Sequence, residues 1–213
     1  MLNLKIIIGS TRPGRNADLV IPWITGIAAE HGAFDVDVLD LRDWQLPLFG
    51  ETLATVGDPH NPTFSAPVVK RWNSTIAAGD AFLFLTPEYN HGIPAVLKNA
   101  IDSVFATFAF RGKPTAYVGY SGGIGGGIRA IEHLVHVAIE AEMVPLRSSV
   151  VIPFVESAFG PDGQPRDPQT RAAAKILLDD LAWWASALQV ARAAGTLPPA
   201  AFRLMKAKDG AAR

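Results

Sequence analysis

Short apolar runs that alternate with segments of helix length constrain this chain more than any other feature. Leu2–Ile8 is apolar through Ile6, Ile7 and Ile8 and is closed by Gly9, which reads as a strand buried on both faces. Ala17–Glu30 suits a helix with Asn16 at its N-cap. FDVDVLDL at 34–41 alternates apolar and polar residues, the period of a second strand. Proline and glycine crowd 42–63, an irregular excursion, before a helix over about 65–78 that Gly79 ends. AFLFL at 81–85 predicts a third strand, broken over 86–93, and Pro94 suits the first turn of a helix reaching about residue 105. A fourth strand follows at 115–120, then a glycine cluster, a helix over about 126–142 and a fifth strand at 146–153. After a loop at 154–167, an amphipathic helix is predicted for 168–193; beyond Gly195, Pro198 and Pro199 mark a tail expected to fray.

Strands and helices in alternation call for a parallel sheet with helices on both faces. Five strands and five helices resemble the flavodoxin-like α/β pattern, which implies the strand order 2-1-3-4-5. In that order the first, third and fourth strands are neighbours, so the loops after them meet at one edge. A chain of 213 residues is expected to form one such domain over 1–195, with a flexible tail at 196–213.

A net charge of −1, with charged residues at 18%, lacks the basic excess of an electrostatic nucleic-acid binder. The absence of cysteine rules out a disulfide frame, a thiolate nucleophile and Cys-ligated zinc. At the start, MLNLKIIIGSTRPGR turns polar too soon for a signal peptide or a spanning helix. The expected compartment is the cytoplasm, with no membrane partner.

The first loop, Gly9-Ser10-Thr11-Arg12-Pro13-Gly14-Arg15-Asn16, runs from a buried strand into a helix. Free N–H groups and the positive dipole end of that helix favour an anion. Two hydroxyls, two arginines and an amide add donors suited to a phosphate monoester. The spacing nearly matches a triphosphate loop, GxxxxGK[ST], but Arg15 and Asn16 stand where the lysine and the magnesium-binding hydroxyl belong. A terminal phosphate held without metal fits better, and a glycine turn into a capped helix is the plain alternative.

In the second loop, Thr86 to Pro94, backbone N–H groups would suit the polar edge of a flat heterocycle, with Tyr89 against its ring. A rigid connector of common turn residues explains that segment equally well. The third loop, Gly119 to Gly127, lets a bulky ligand approach the backbone. It is no dinucleotide fingerprint, because the third glycine position falls on Ile128. It does contain G-x-S-x-G around Ser121, the pattern of a serine hydrolase. The only later histidines, His133 and His136, lie in the helix that starts beside Ser121, from which a triad does not close. Those two read as partly exposed helix histidines rather than metal ligands. Trp183 and Trp184 fall in a helix of core periodicity and are expected to pack, while Lys98, Arg111 and Lys113 read as solvated surface.

Together the loops resemble the NADPH-dependent FMN reductase family, which includes azo, quinone and chromate reductases. Matching segments are GSTRPGR at 9–15, DLRDWQLPLF at 40–49, PEYNHGIPAVLKNAID at 87–102, RGKP at 111–114 and GGGIRAIEHL at 125–134. They fall in chain order across about 9–152, and PEYN followed by LKNAID is the specific part. The resemblance implies FMN as cofactor, with its phosphate held by Ser10, Arg12, Arg15 and Asn16. Pro87, Glu88, Tyr89 and Asn90 would line the polar edge of the flavin, and Ser121, Gly122 and Gly123 would lie beside its ring system. It further implies NADPH or NADH as donor and a homodimer or homotetramer. The acceptor would be a small molecule: a flavin, quinone, azo compound or metal oxyanion. No catalytic side chain is implied, because the flavin carries the chemistry. Two departures stand out: Ser103 replaces the tryptophan that many members carry, and the glycine loop is longer than in close relatives. An FMN electron carrier without NAD(P)H activity is the rival reading; such carriers are usually strongly acidic, which this chain is not.

Overall fold

A computed structural model describes residues 1–59 and 61–211 of the chain. In chain order the elements are β1 (Leu2–Ile8), α1 (Ala17–Glu30), β2 (Phe34–Asp40), the one-turn helices α2 (Leu41–Trp44) and α3 (Leu53–Val56), α4 (Pro67–Ala77) and β3 (Ala81–Pro87). There follow α5 (Ala95–Asp102), a 3-10 turn (Phe105–Thr107), β4 (Pro114–Tyr120), α6 (Ile128–Glu140) and β5 (Val144–Ile152). The one-turn α7 (Val155–Ala158), α8 (Pro168–Ala194) and α9 (Ala200–Ala211) complete the fold. The strands form one parallel sheet in the order β2-β1-β3-β4-β5, as the flavodoxin-like pattern implies.

Side chains alternate across a strand, so each central strand feeds two cores. Leu83 and Leu85 of β3 join Leu4, Ile6, Trp23, Leu177 and Leu181 between the sheet, α1 and α8. Phe82 and Phe84 join Ile7, Trp72, Leu97, Tyr117 and Leu134 between the sheet, α4, α5 and α6. β3 runs two residues past the expected 81–85 because Thr86 and Pro87 pair with Gly119 and Tyr120. Similarly, β5 begins at Val144, which pairs with Pro114. The 42–63 excursion is less irregular than expected, since the side chains of Asp40 and Thr52 cap its two short helices. Asn16 holds the N-cap position of α1 without a capping bond; its amide donates to Glu156 at 3.3 Å.

Expectations of exposure fail at Lys113 and Arg111, and the expectation of burial fails at Trp183 and Trp184. Lys113 is buried, and its ammonium donates to the carbonyls of Ile76, Ala77 and Ala109 at 3.0, 2.7 and 2.9 Å, closing the C-terminal end of α4. Arg111 is partly buried against Glu142. Trp183 and Trp184 are exposed, because the inward face of α8 is taken by Leu177, Leu178, Leu181 and Ala185. The segment after Gly195 carries α9, whose Phe202 packs edge-on against Phe108 and whose first amide donates to Glu142 at 3.0 Å. Residues 212–213 of the tail lie outside the described residues. Among the described residues no helix is long and apolar enough to cross a membrane.

Candidate functional site

Because β1, β3 and β4 are adjacent and parallel, the loops after them converge at one edge of the sheet. Between them opens a cleft of about 310 Å³. Arg12, Arg15 and Asn16 line it from the first loop, Pro87, Glu88 and Tyr89 from the second, and Ser121 and Gly122 from the third. Tyr120, Gly14 and Glu156, which no sequence motif singles out for a role, line it too. Ser10, Asn90 and Gly123 are not in its wall.

The two arginines of the first loop do different work. Arg15 is buried: its Nη1 donates to Asp40 Oδ1 at 2.7 Å, its Nη2 to Asp40 Oδ2 and its Nε to Asp18 at 2.8 Å. It also donates to the Ser10 carbonyl. Burial opposes the charged form of Arg15, but the two carboxylates outweigh it and raise its pKa. Burial likewise opposes ionisation of Asp40, yet the Arg15 guanidinium and the Arg42 amide hold its carboxyl below the ordinary range. Arg15 therefore braces the loop to the end of β2. Arg12 makes no ion pair among the described residues; its guanidinium lies over the Tyr89 ring, 5.3 Å from the centroid. Ser10 is fully buried and shares a hydrogen bond of 2.7 Å with the Tyr89 hydroxyl, tying the first loop to the second.

The second loop is a tight turn. Tyr89 and Gly92 exchange backbone bonds of 2.9 and 3.1 Å, and Asn90 and His91 take φ of 49° and 74° between them. Glu88 N–H donates to the Tyr120 carbonyl at 3.2 Å, so the amides of Glu88 and Tyr89 are already used. Asn90 and His91, at the tip, have no backbone partner among the described residues. The buried Glu88 carboxylate does not face a ligand alone: it pairs with the Arg129 guanidinium and accepts from the Arg129 amide at 3.3 Å.

The glycine loop divides by function. A Cβ on Gly126 would lie 2.4 Å from Val151 Cγ1, and one on Gly127 2.5 Å from the Tyr120 amide nitrogen. Both have positive φ, so they let the loop press onto β4 and β5. A Cβ on Gly122 or Gly123 would meet no atom within 4 Å, so space lies open over their backbone. Ser121 Oγ donates to the Gly123 carbonyl at 2.9 Å, while His133 and His136 line a separate groove with Pro145 and Arg147. Among the described residues no triad is assembled around Ser121. Tyr120, at the end of β4, keeps a buried hydroxyl that makes no hydrogen bond among the described residues. Burial pushes that phenol above its ordinary range, with Tyr89 adding and Ser10 opposing.

Residues 2–157 match the family described as NADPH-dependent FMN reductase. The chain belongs to that family. It is an oxidoreductase that works between NAD(P)H and FMN. An NAD(P)H-dependent FMN reductase of Schizosaccharomyces pombe is 35% identical over 153 residues, 70% of this chain and 73% of its own length. Another, from Pseudomonas aeruginosa, is 32% identical over 86% of this chain and 95% of its own. Among solved structures, a flavoenzyme NAD(P)H:acceptor oxidoreductase from Paracoccus denitrificans superposes with a TM-score of 0.70 at 23% identity, covering 87% of this chain and 98% of that one. That last likeness concerns the fold. Within the family frame, Asp40, Arg129 and Asn99 are members of the matching segments whose parts the sequence alone leaves unassigned. Asn99 clamps the excursion after α2, donating to the Pro47 carbonyl at 2.9 Å and accepting from the Phe49 amide at 2.7 Å. Ser103, which stands where many members carry tryptophan, is buried beneath that excursion and donates to the Asn99 carbonyl at 2.7 Å.

Proposed function

We propose that FMN lies in the cleft between the three loops, its phosphate at residues 10–16 and its ring system between Tyr89 and the backbone of residues 121–123. One juxtaposition supports this most. The Arg12 cation, which makes no ion pair among the described residues, and the Asn16 side chain meet the same cavity as the open backbone of Gly122. The donor set therefore suits an anionic, oxygen-rich, planar molecule.

In this reading Arg12 and the Ala17 amide at the start of α1 hold the phosphate, with Asn16 beside them; the next two amides are taken by the Arg15 and Asn16 carbonyls. Ser10 and Arg15 act one step back: Ser10 fixes Tyr89, and Arg15 fixes the loop. Tyr89 and Asn90 border the polar edge of the ring, while Glu88 keeps the second loop joined to α6 through Arg129. Bound there, FMN supplies hydride acceptance and onward electron transfer. The side chains bind, orient and exclude water; none is required to move a proton.

The donor is NADPH or NADH. The acceptor is a small molecule such as a quinone, as the name of a quinone reductase relative in Pseudomonas putida suggests by kinship. The enzyme works in the cytoplasm as a homodimer or a dimer of dimers. Purified protein should be yellow, release FMN on denaturation and oxidise NAD(P)H steadily with a quinone. A colourless protein that neither binds FMN nor oxidises NAD(P)H would overturn the reading. An FMN-bound protein inert to NAD(P)H would return the electron carrier.

A further inference from the structure

The outer face of α8 carries an apolar stripe that the flavin site does not use. Ile176 is 55% exposed, Trp183 65%, Trp184 40% and Val190 70%. The two indoles pack edge-on with ring centroids 5.1 Å apart, so they are ordered before any partner arrives. From 181 to 191 the helix has no charged residue, and Asp179 and Asp180, between Ile176 and Trp183, are engaged by His31 and Ser148. The inward face is already spent on the core, so the uncharged surface has no intramolecular use.

We propose that this face binds the same face of a second copy, with the two α8 helices antiparallel about a twofold axis near Trp183. The spacing selects that occupant. Ile176 and Val190 each lie seven residues from Trp183, so one twofold operation sets Ile176 of each copy against Val190 of the other. An interface between identical copies requires such self-complementarity, and an unrelated partner does not. Ala187, one turn from the tryptophans, and Ala191, beside Val190, leave room for the opposing side chains. The four apolar residues expose on the order of 450 Å², over half of the ~800 Å² each partner gives a standard interface. Exposed tryptophans at the centre are the usual anchors of such contacts. This specifies one surface of the assembly proposed above. It uses no residue of the flavin cleft, so FMN binding reports on that cleft separately.

The chain has no cysteine, which makes a register test clean. Full-length Ile176→Cys and Val190→Cys proteins are mixed and treated with a short bis-maleimide. The mixture should give a covalent dimer. Ile176→Cys alone should not, because its two thiols would stand about 20 Å apart along the helices. In parallel, Ile176→Glu/Trp183→Glu should halve the mass seen by light scattering at micromolar concentration, with FMN affinity and circular dichroism unchanged. A native protein that is monomeric, a double variant of native mass, or equal cross-linking by Ile176→Cys alone would overturn the proposal. So would monomeric native protein that floats with anionic phospholipid vesicles, since the stripe would then serve a membrane.

Discussion

Arg15 grips both carboxylate oxygens of Asp40, twenty-five positions along the chain, and so cannot turn its charge wholly to a ligand. β1 and β2 are in register with Ile8 beside Asp40, which sets the carboxylate at the root of the first loop. The loop thus has one braced arginine and one free arginine, and their substitutions should differ in kind.

Arg12→Ala should weaken FMN by about ten- to a hundred-fold, the loss of one charge-assisted hydrogen bond of roughly 1.5–3 kcal/mol. Riboflavin, which lacks the phosphate, should bind poorly to the native protein and hardly notice the change. Arg15→Ala should instead weaken both flavins and cost about 2–3 kcal/mol of stability, because Asp40 loses its guanidinium partner and Asp18 keeps only its 3.4 Å contact with Arg42. Fluorescence-quenching titrations of both flavins, with thermal melts, separate the two patterns. Equal losses for the two flavins in Arg12→Ala would move the phosphate elsewhere.

Tyr89→Phe removes the hydrogen bond to Ser10 and should cost about 1 kcal/mol while keeping the ring contact. Tyr89→Ala removes both, so turnover should fall and the bound-flavin spectrum should shift with the fold intact. Steady-state kinetics and absorbance spectra check this pair.

Acid should loosen the loop in a predictable window. The Asp40 carboxyl titrates lower in the folded protein than in the unfolded chain, so its stabilising effect is complete above the unfolded value of about 3.9. It is lost as the pH falls through the folded value. Melting temperatures measured from pH 6 to pH 2.5 should drop more steeply for the native protein than for Asp40→Asn over the acid end. Parallel curves would deny Asp40 that part.

Gly127→Ala should prevent the third loop from seating, since φ is 90° and the added methyl would meet the Tyr120 and Gly119 backbone below 3 Å. Loss of soluble protein or a large fall in melting temperature is expected. Gly123→Ala should fold normally, with no atom near the new methyl, and should alter only flavin affinity. Differential scanning fluorimetry with an FMN titration distinguishes them.

Lys113→Met should destabilise the domain by about 3 kcal/mol, because it leaves the carbonyls of Ile76, Ala77 and Ala109 without their donor in a buried place. For a chain of this size that corresponds to a melting-temperature loss of roughly 6–12 °C. A change of under a degree would show that water satisfies those carbonyls.

Local pattern carries the strands, since a run such as AFLFL is short, wholly apolar and bounded by Gly79 and Pro87, as a buried strand requires. It also carries α1, and the convergence of three polar or glycine-rich loops follows once the parallel order is implied. Element ends are less legible. Thr86 and Pro87 belong to β3 only because β4 offers them partners, and no local signal records a neighbour. The cleft's donors are legible in the loops themselves, while the parts of Asp40 and Arg129 are not, because what they meet lies far along the chain.

What the sequence by itself determined is therefore the five strands and the helices α1, α4, α5, α6 and α8, their alternation and the chemistry gathered in the loops. Those depend on side-chain period and backbone propensity over a few residues. Only the tertiary structure decided which arginine is free, that Lys113 is buried, and that Trp183 and Trp184 face outward. Each of those outcomes turns on which groups from distant segments meet after packing. Strand register brings Asp40 to Arg15, the end of α4 surrounds Lys113, and leucines of α8 claim the core before its tryptophans can.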